Sequence, residues 1–316
     1  MEIAGYERVP GETVKDYSLA EGTDILVPYV LLWGAREGPT VVVTAGIHCA
    51  EYVGIDAALR LSLELDPAEL AGNVVILPLC NRSGFEHRTM STVYEDGKNL
   101  NRVFPGDPEG TAAQRLADML YRTFISKADA YIDLHSGDGY EGLVPFAYYV
   151  GGTSVEKESA EMLECIDVPL CVRSRCTEGG AYNTASAAGI PSVLIERGCM
   201  GVLDRGQSDA DMEDVRNILR RLGVLKGEYR TYPKTELEEY DEPSPITGLW
   251  YPEMRVGQRF SKGDRFGEIK DCFGRVLHTA IARRDGILLY QTQSLNILCG
   301  GPMVAYGAVR TQSNQE

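Results

Sequence analysis

The sequence predicts an α/β fold with a mixed, mostly parallel sheet flanked by helices, followed by a small C-terminal all-β domain. Over the first 225 residues, continuous apolar segments rich in valine, leucine and isoleucine alternate with segments whose apolar residues recur every three to four positions. Strands that are apolar throughout belong to sheets covered by helices on both faces. After residue 248, short segments punctuated by glycine show no amphipathic helix, a pattern typical of a sandwich or barrel.

The strands and helices follow from these patterns in chain order. Continuous apolar runs predict strands over 25–33, 40–44, 73–79, 130–134, 146–150 and 192–195, with a turn at 35–39 joining the first two. Apolar spacing near 3.6 predicts helices over 51–65, 111–126, 155–165 and 209–222. Because ligands of open α/β sheets bind beyond the carboxyl ends of the strands, catalytic residues are expected there.

A polar, acidic segment divides the chain. It contains Pro233, Pro243 and Pro245, a composition typical of a linker. We therefore expect a catalytic α/β domain over 1–227, a linker over 228–247 and a C-terminal β domain over 248–316. The length of 316 residues suits one large domain with a smaller one attached.

Composition excludes several classes of partner. The net charge of −15 repels phosphate backbones and anionic lipid, so we expect no nucleic-acid binding and no membrane association. No apolar run approaches the roughly 20 residues of a membrane helix, and the N-terminal residues lack the pattern of a signal peptide. The eight cysteines are dispersed and form no C-x-x-C motif, so we expect reduced thiols and a cytoplasmic location.

Two of the four histidines follow predicted strands, His48 after 40–44 and His135 after 130–134. Glu51 lies three residues after His48, at the start of the predicted helix. A catalytic zinc site has three protein ligands and an open position for water, whose pKa the ion lowers to about 7. His48, Glu51 and His135 are therefore candidate ligands of one zinc ion, although such a set also accepts other divalent ions. Taken singly, each histidine is as readily a structural residue.

Asn101 and Arg102 lie in a long connection rich in turn-forming residues. Arg102 beside the amide of Asn101 is a candidate clamp for a substrate carboxylate, and the alternative interpretation is a polar turn. Arg88, on the same connection, is a candidate for stabilising an oxyanion. A solvated surface arginine explains Arg88 equally well.

Glu196 ends the predicted strand 192–195 and is the candidate general base. The alternative interpretation is an ion pair with Arg197. Tyr182, after Gly179 and Gly180, is a candidate for a hydrogen bond to substrate, although a lone tyrosine more often serves packing.

Four segments together resemble the aspartoacylase and succinylglutamate desuccinylase branch of the zinc carboxypeptidase superfamily. They are 45–51 (AGIHCAE), 96–106 (DGKNLNRVFPG), 133–137 (DLHSG) and 191–198 (PSVLIERG). Their order and spacing match this branch, and the C-terminal β domain is similar to its appended domain. The resemblance therefore covers nearly the whole chain and implies a zinc-carboxypeptidase-like fold.

The resemblance also implies roles for the site residues. Zinc would be held by the candidate ligands, and a substrate carboxylate by Asn101 and Arg102. Arg88 would act on the scissile carbonyl, and Glu196 would be the general base. The sequence departs from the branch at Cys49, where a small residue is common. It also departs at Ser186, near the place where specific deacylases tend to carry a further arginine.

We therefore expect a zinc-dependent hydrolase that cleaves the amide bond of an N-acyl amino acid or a related small amide carrying a carboxylate. One alternative is a metallocarboxypeptidase acting on short peptides or cell-wall fragments. A C-terminal domain placed over the cleft would favour small substrates, and a domain swung away would favour peptides. The alternative from another class is a binding protein that retains the fold without turnover. The sequence leaves open whether the chain forms a homo-oligomer.

Overall fold

The computed structural model describes residues 1–309. Its strands are β1 (Glu2–Ile3), β2 (Tyr6–Glu7), β3 (Thr13–Leu19), β4 (Leu26–Trp33), β5 (Arg36–Ala45), β6 (Ala71–Leu77), β7 (Ala130–His135), β8 (Glu141–Leu143), β9 (Phe146–Val150), β10 (Leu170–Ser174), β11 (Ser192–Glu196), β12 (Thr235–Pro243), β13 (Gly248–Pro252), β14 (Arg259–Phe260), β15 (Arg265–Lys270), β16 (Val276–Ile281), β17 (Gly286–Thr292), β18 (Asn296–Ile297) and β19 (Pro302–Val309). Its helices are α1 (Tyr52–Glu64), α2 (Arg82–His87), α3 (Ala112–Thr123), α4 (Glu156–Leu163), α5 (Ala181–Ala187) and α6 (Arg205–Arg221).

One sheet of thirteen strands organises the fold, in the order β14-β17-β19-β12-β10-β9-β11-β7-β5-β6-β4-β3, with β8 paired to β17. Its centre, β11-β7-β5-β6, is parallel, and antiparallel strands extend it at both edges. The predicted mixed α/β sheet is confirmed. A second sheet, β16-β15-β13-β18, lies in the C-terminal part, where residues 248–309 contain strands and no helix, as predicted.

Alternation along the central strands places side chains in two cores, one on each face of the sheet. Val41 and Val43 of β5 pack with residues of α1, α4 and α6 in one core. Val42, between them, packs with residues of α3 and α5 in the other. The central strands are thus covered on both faces, which explains why their sequences are apolar throughout.

The segment predicted as a linker contains a strand over nearly half of its length. Residues 235–243 form β12, which pairs with β10 on one side and β19 on the other. Leu237 is fully buried in the core beneath this strand, and the acidic side chains flanking it remain partly or fully accessible. The prolines do not interrupt the ladder, because Pro233 precedes the strand and Pro243 ends it. The large sheet therefore runs continuously into the C-terminal part.

Other differences are smaller. The predicted turn at 35–39 lies mostly within β5, which begins at Arg36 with an irregular register up to Thr40. Strands β3 and β10 and helices α2 and α5 were not predicted, because each is short or lacks a clear apolar period. Residues 310–316 of the predicted C-terminal domain lie outside the described residues. No helix within residues 1–309 has the length and apolar character required to cross a membrane.

Candidate metal centre and active-site cavity

The carboxyl ends of three neighbouring parallel strands carry the candidate site. Strands β5, β7 and β11 are adjacent, and β7 and β11 end at His135 and Glu196, which are paired in register. The chain leaves β5 through Gly46, whose φ of +65° is a left-handed conformation that favours glycine. The loop that follows carries His48 to the same edge of the sheet.

Helix α1 begins close to the end of β7. A side chain at Gly54 would lie 2.9 Å from Cβ of Leu134, so glycine permits this close approach. Glu51 occupies the N-cap position of α1, but its carboxylate makes no capping hydrogen bond. The carboxylate contacts His48 and His135 instead, so α1 lacks an N-cap hydrogen bond from the Glu51 side chain.

His48, Glu51 and His135 form a compact cluster. Nδ1 of His48 lies 2.7 Å from Oε1 of Glu51, and Nδ1 of His135 lies 2.9 Å from Oε2. A ligand atom from each of the three residues lies within 4.8 Å of the others, and Glu51 and His135 are buried. These donor types and this spacing fit a zinc ion.

The second nitrogen of each histidine faces an oxygen. Nε2 of His48 lies 3.0 Å from Oδ1 of Asn99, and Nε2 of His135 lies 3.2 Å from Oδ2 of Asp133. Oδ1 of Asp133 accepts a hydrogen bond from Thr44 at 2.7 Å. In the tautomer that carries its proton on Nε2, each histidine has a free Nδ1 for a metal ion, and a second nitrogen facing an oxygen is usual for histidines around zinc. This observation supports the fit of the cluster to a metal.

The cluster is charged to receive a cation. Burial opposes ionisation of Glu51, but the imidazoles of His135 and His48 outweigh it and hold the pKa of Glu51 at about 2. Burial likewise disfavours the charged form of His135, yet Glu51 and Asp133 raise the pKa of His135 well above its ordinary value. Two carboxylates thus stabilise positive charge at this position.

Glu196 lines the cavity beside this cluster. Its Oε2 is buried and has no hydrogen-bond partner within residues 1–309. Burial and the nearby Glu51 raise the pKa of Glu196 well above its usual range. A carboxyl group with a raised pKa and a free oxygen is suited to accepting and returning a proton.

Arg197 does not pair with Glu196, because neighbouring residues of a strand point to opposite faces. The buried Arg197 donates two hydrogen bonds to Oδ2 of Asp214, at 2.9 and 2.6 Å, and another to the carbonyl of Asp167. Asp211 lies 3.5 Å away. This buried network anchors the end of β11 from the face opposite the cavity.

Replacing Arg197 with methionine is expected to destabilise the fold by about 3–5 kcal/mol, because it leaves Asp211 and Asp214 buried without their counter-ion. Denaturant unfolding measures the free energy. Arg216→Met is the matched control, since the partly exposed pair of Arg216 with Glu64 contributes about 0–1 kcal/mol. Equal losses in both variants would show that the Arg197 network is not structural.

Asn101 and Arg102 both line the cavity. Oδ1 of the buried Asn101 accepts a hydrogen bond from the backbone N–H of Ala181 at 2.9 Å. This bond fixes the amide orientation and leaves its NH₂ group without a partner in the described chain. Arg102 donates to the Asn101 carbonyl at 2.9 Å and has no carboxylate within 4.0 Å among residues 1–309. Both donors are thus available to an anionic group.

Tyr182 lines the cavity from α5, whereas Arg88 does not. Arg88 is exposed at the left-handed C-cap of α2, so the expected position beside the reacting carbonyl is not observed. Sequence spacing could not show this, because the turn after α2 redirects the side chain. Ser186 is buried against Ser192 at 2.6 Å and contributes nothing to the cavity. The Cys49 thiol is also buried and donates to the Met90 carbonyl.

The cavity of about 730 Å³ contains residues that the sequence did not indicate. Glu141, Glu239 and Asp241 line it, and so do residues from Tyr290 to Val304 of the C-terminal part. Asn99 and Asp133 lie in recognisable motifs, but their contacts with the histidines depend on the folded chain. The C-terminal strands therefore help to enclose the metal cluster.

Comparisons with known proteins agree with this architecture. Residues 37–222 match the family described as the succinylglutamate desuccinylase/aspartoacylase catalytic domain. The N-alpha-acetyl-L-2,4-diaminobutyric acid deacetylase of Halomonas elongata is 28% identical over 264 residues, covering 80% of this chain and 77% of that protein.

Two solved structures show the same fold across nearly the whole chain. A succinylglutamate desuccinylase/aspartoacylase from Rhodobacter sphaeroides has a TM-score of 0.86 at 23% identity, covering 98% of this chain and 99% of the other. The product-bound ectoine utilization protein EutE (DoeB) from Ruegeria pomeroyi has a TM-score of 0.84 at 25% identity, covering 95% and 98%. Since the family match spans more than half of the sequence and includes the strand ends that carry the metal cluster, the chain belongs to the succinylglutamate desuccinylase/aspartoacylase family.

Proposed function

We propose that this protein is a zinc-dependent deacylase that hydrolyses the amide bond of small N-acyl amino acids. The observation that carries the proposal is the cluster of His48, Glu51 and His135 beside the unpartnered carboxyl group of Glu196, in a cavity that also holds Arg102. The family and the named activity of the Halomonas elongata relative support a hydrolase of acylated amino acids.

The residues divide the reaction between them. Asn101 and Arg102 bind the carboxylate of the substrate, and Tyr182 contacts the bound molecule from α5. His48, Glu51 and His135 would hold a zinc ion, which would supply a Lewis acid able to acidify water near neutral pH and to polarise the carbonyl. Glu196 accepts the proton of the attacking water and returns it to the leaving nitrogen. The C–N bond breaks, and a carboxylic acid and an amine are released.

The enclosure of the cavity favours small amides over peptides. Residues 290–304 line the same cavity as His48 and His135, so the C-terminal part limits the space beyond the scissile bond. A binding protein without turnover would not require a free general base beside a metal cluster. We place the protein in the cytoplasm, consistent with eight cysteines that form no disulfide within residues 1–309.

The direct test is an activity survey of the zinc-loaded protein on N-acetyl, N-succinyl and N-formyl amino acids, with blocked dipeptides alongside. We expect release of free amine from small N-acyl amino acids and little cleavage of dipeptides. Preferential cleavage of peptides would favour the carboxypeptidase alternative. Absence of turnover on every amide would contradict the proposal.

Replacing Arg102 with alanine is expected to raise KM by about 10–100-fold for substrates with a free carboxylate, because a charged hydrogen bond contributes about 1.5–3 kcal/mol. The change in kcat is expected to be smaller. Steady-state kinetics on an N-acetyl amino acid and on its carboxamide measure the effect. Arg122→Ala, an exposed arginine on α3, is the control. Unchanged KM for the carboxylate substrate would remove Arg102 from the binding site.

A further inference from the structure

The cavity carries a strong excess of negative charge. Among the described residues, Arg102 is the one arginine or lysine that lines it. The lining carboxylates are Glu51, Asp138, Glu141, Glu178, Glu196, Glu239, Asp241 and Glu242. A substrate carboxylate bound to Arg102 would pair with this arginine, and a zinc ion would be held with Glu51, so the wall formed by β12 would have no arginine or lysine of its own. An anionic side chain on the substrate would therefore be repelled.

Two of these carboxylates are held in place by tyrosine hydroxyls. Tyr148 donates to Oε1 of Glu239 at 2.5 Å, and Tyr290 donates to Oδ1 of Asp241 at 3.0 Å. Glu239 and Asp241 are two residues apart on β12, so their side chains project from the same face of the sheet. Neither has a lysine, arginine or histidine within 4.0 Å in the described chain. They are oriented acceptors that form no ion pair within the described chain.

The same wall is aromatic. Tyr148, Tyr182 and Tyr290 all line the cavity, and the ring centroids of Tyr148 and Tyr182 lie 6.1 Å apart. Tyrosine faces attract cations through their quadrupole, and carboxylates beside them add charge-assisted hydrogen bonds. Together these groups form a surface complementary to an ammonium or guanidinium group.

A ligand is also indicated by the neighbouring donors. Asn101 is 5% exposed and lines the cavity, and its NH₂ group has no partner among residues 1–309. The guanidinium of Arg102 lowers the pKa of Glu239, although burial dominates and raises that pKa to about 7. Asn101 and Arg102 line the same cavity as Glu239 and Asp241, so an anion-binding pair and a cation-binding pair share one site, as the carboxylate and the cationic side chain of a basic amino acid require.

We propose that Glu239 and Asp241 bind a cationic side chain on the amine half of the substrate, so that the enzyme prefers N-acyl derivatives of basic amino acids. This rests on the proposed deacylase function, since it places the substrate carboxylate on Asn101 and Arg102. The wall formed by β12 would select against substrates with an acidic side chain.

The test compares side chains of matched length that differ in charge. Nα-acetyl derivatives of 2,4-diaminobutyrate and ornithine are compared with those of 2-aminobutyrate, norvaline, aspartate and glutamate on the zinc-loaded protein. We expect kcat/KM for the cationic compounds to exceed that for the neutral ones at least about tenfold, with the acidic compounds poorest. Binding of the six free amino acids, measured by calorimetry, gives the same ranking without requiring turnover.

The decisive variants are Glu239→Gln and Asp241→Asn, which retain the shape of each side chain. Each is expected to reduce the preference for cationic over neutral compounds by about 10–100-fold and to leave the neutral compounds little changed. Glu236→Gln is the matched control, because Glu236 lies on the opposite face of β12 and accepts from Tyr149 at 2.6 Å. Thermal unfolding confirms that each variant folds.

The outcomes separate this inference from the proposed function. Hydrolysis of neutral or acidic compounds at least as fast as cationic ones overturns the cation site and leaves the deacylase intact. An equal loss on all compounds in Glu239→Gln also overturns it. If no acetyl amino acid is cleaved, the proposed deacylase function is contradicted. The calorimetric ranking of the free amino acids still shows whether the cavity prefers cationic side chains.

Discussion

Replacing Glu196 with glutamine is expected to lower kcat by about 10²–10⁴-fold while the protein retains its metal, because glutamine cannot accept a proton from water. The side chain differs by one charge and keeps its volume at the end of β11. Glu196 contacts no metal ligand within hydrogen-bond distance in the described chain, so the cluster should persist. Loss of turnover without loss of metal distinguishes a base from a ligand.

Stopped-flow or steady-state kinetics give kcat, and elemental analysis gives the zinc content of the same sample. Glu178→Gln is the control, since Glu178 lines the cavity as an exposed carboxylate and is assigned no role. If Glu196→Gln turned over at the rate of the unmodified protein, the assignment of the base would be wrong.

Replacing His135 with alanine is expected to remove stoichiometric zinc and to lower kcat/KM by a factor on the order of 10³ or more. The Lewis acid stabilises the transition state by several kcal/mol, and the variant would lose this stabilisation. His135 is fixed by β7 and faces both Glu51 and Asp133. A milder change, Asp133→Asn, should weaken zinc binding about 10–100-fold. It leaves the three metal ligands in place and alters only the carboxylate beside Nε2 of His135.

His278→Ala is the control for this experiment, since His278 lies on β16 in the C-terminal sheet and outside the cavity. Zinc content after dialysis and kcat/KM are measured for all three variants. Full zinc occupancy in His135→Ala would show that the metal is held elsewhere.

Much of the central fold could be predicted because its strands are buried on both faces. That burial requires uninterrupted apolar residues, as in 40–44 and 130–134, and such runs are visible without any partner. The metal ligands could be predicted for a related reason. The ends of parallel strands meet at one edge of the sheet, which made His48 and His135 candidate ligands. Their convergence on one ion was implied by the family resemblance and not by the spacing.

The remaining features depend on contacts that the sequence does not display. The segment that forms β12 was expected to be a linker because most of its residues are acidic and only Leu237 is fully buried. Its strand conformation depends on pairing with β10 and β19, which the sequence does not show. Glu239 and Asp241 reach the cavity only because of that strand. Arg88 is the opposite case, since its residue type suggested a role while its side chain is exposed and lies outside the cavity lining.

The central claim is that one zinc ion in the His48, Glu51 and His135 cluster is required for deacylation. Titrating zinc into chelator-treated protein, with hydrolysis of an N-acetyl amino acid measured at each addition, tests it most directly. We predict that activity rises from near zero to a plateau at one equivalent, and that Glu196→Gln binds the same equivalent without activity. Full activity in the metal-free protein, or a plateau unrelated to zinc occupancy, would contradict the account.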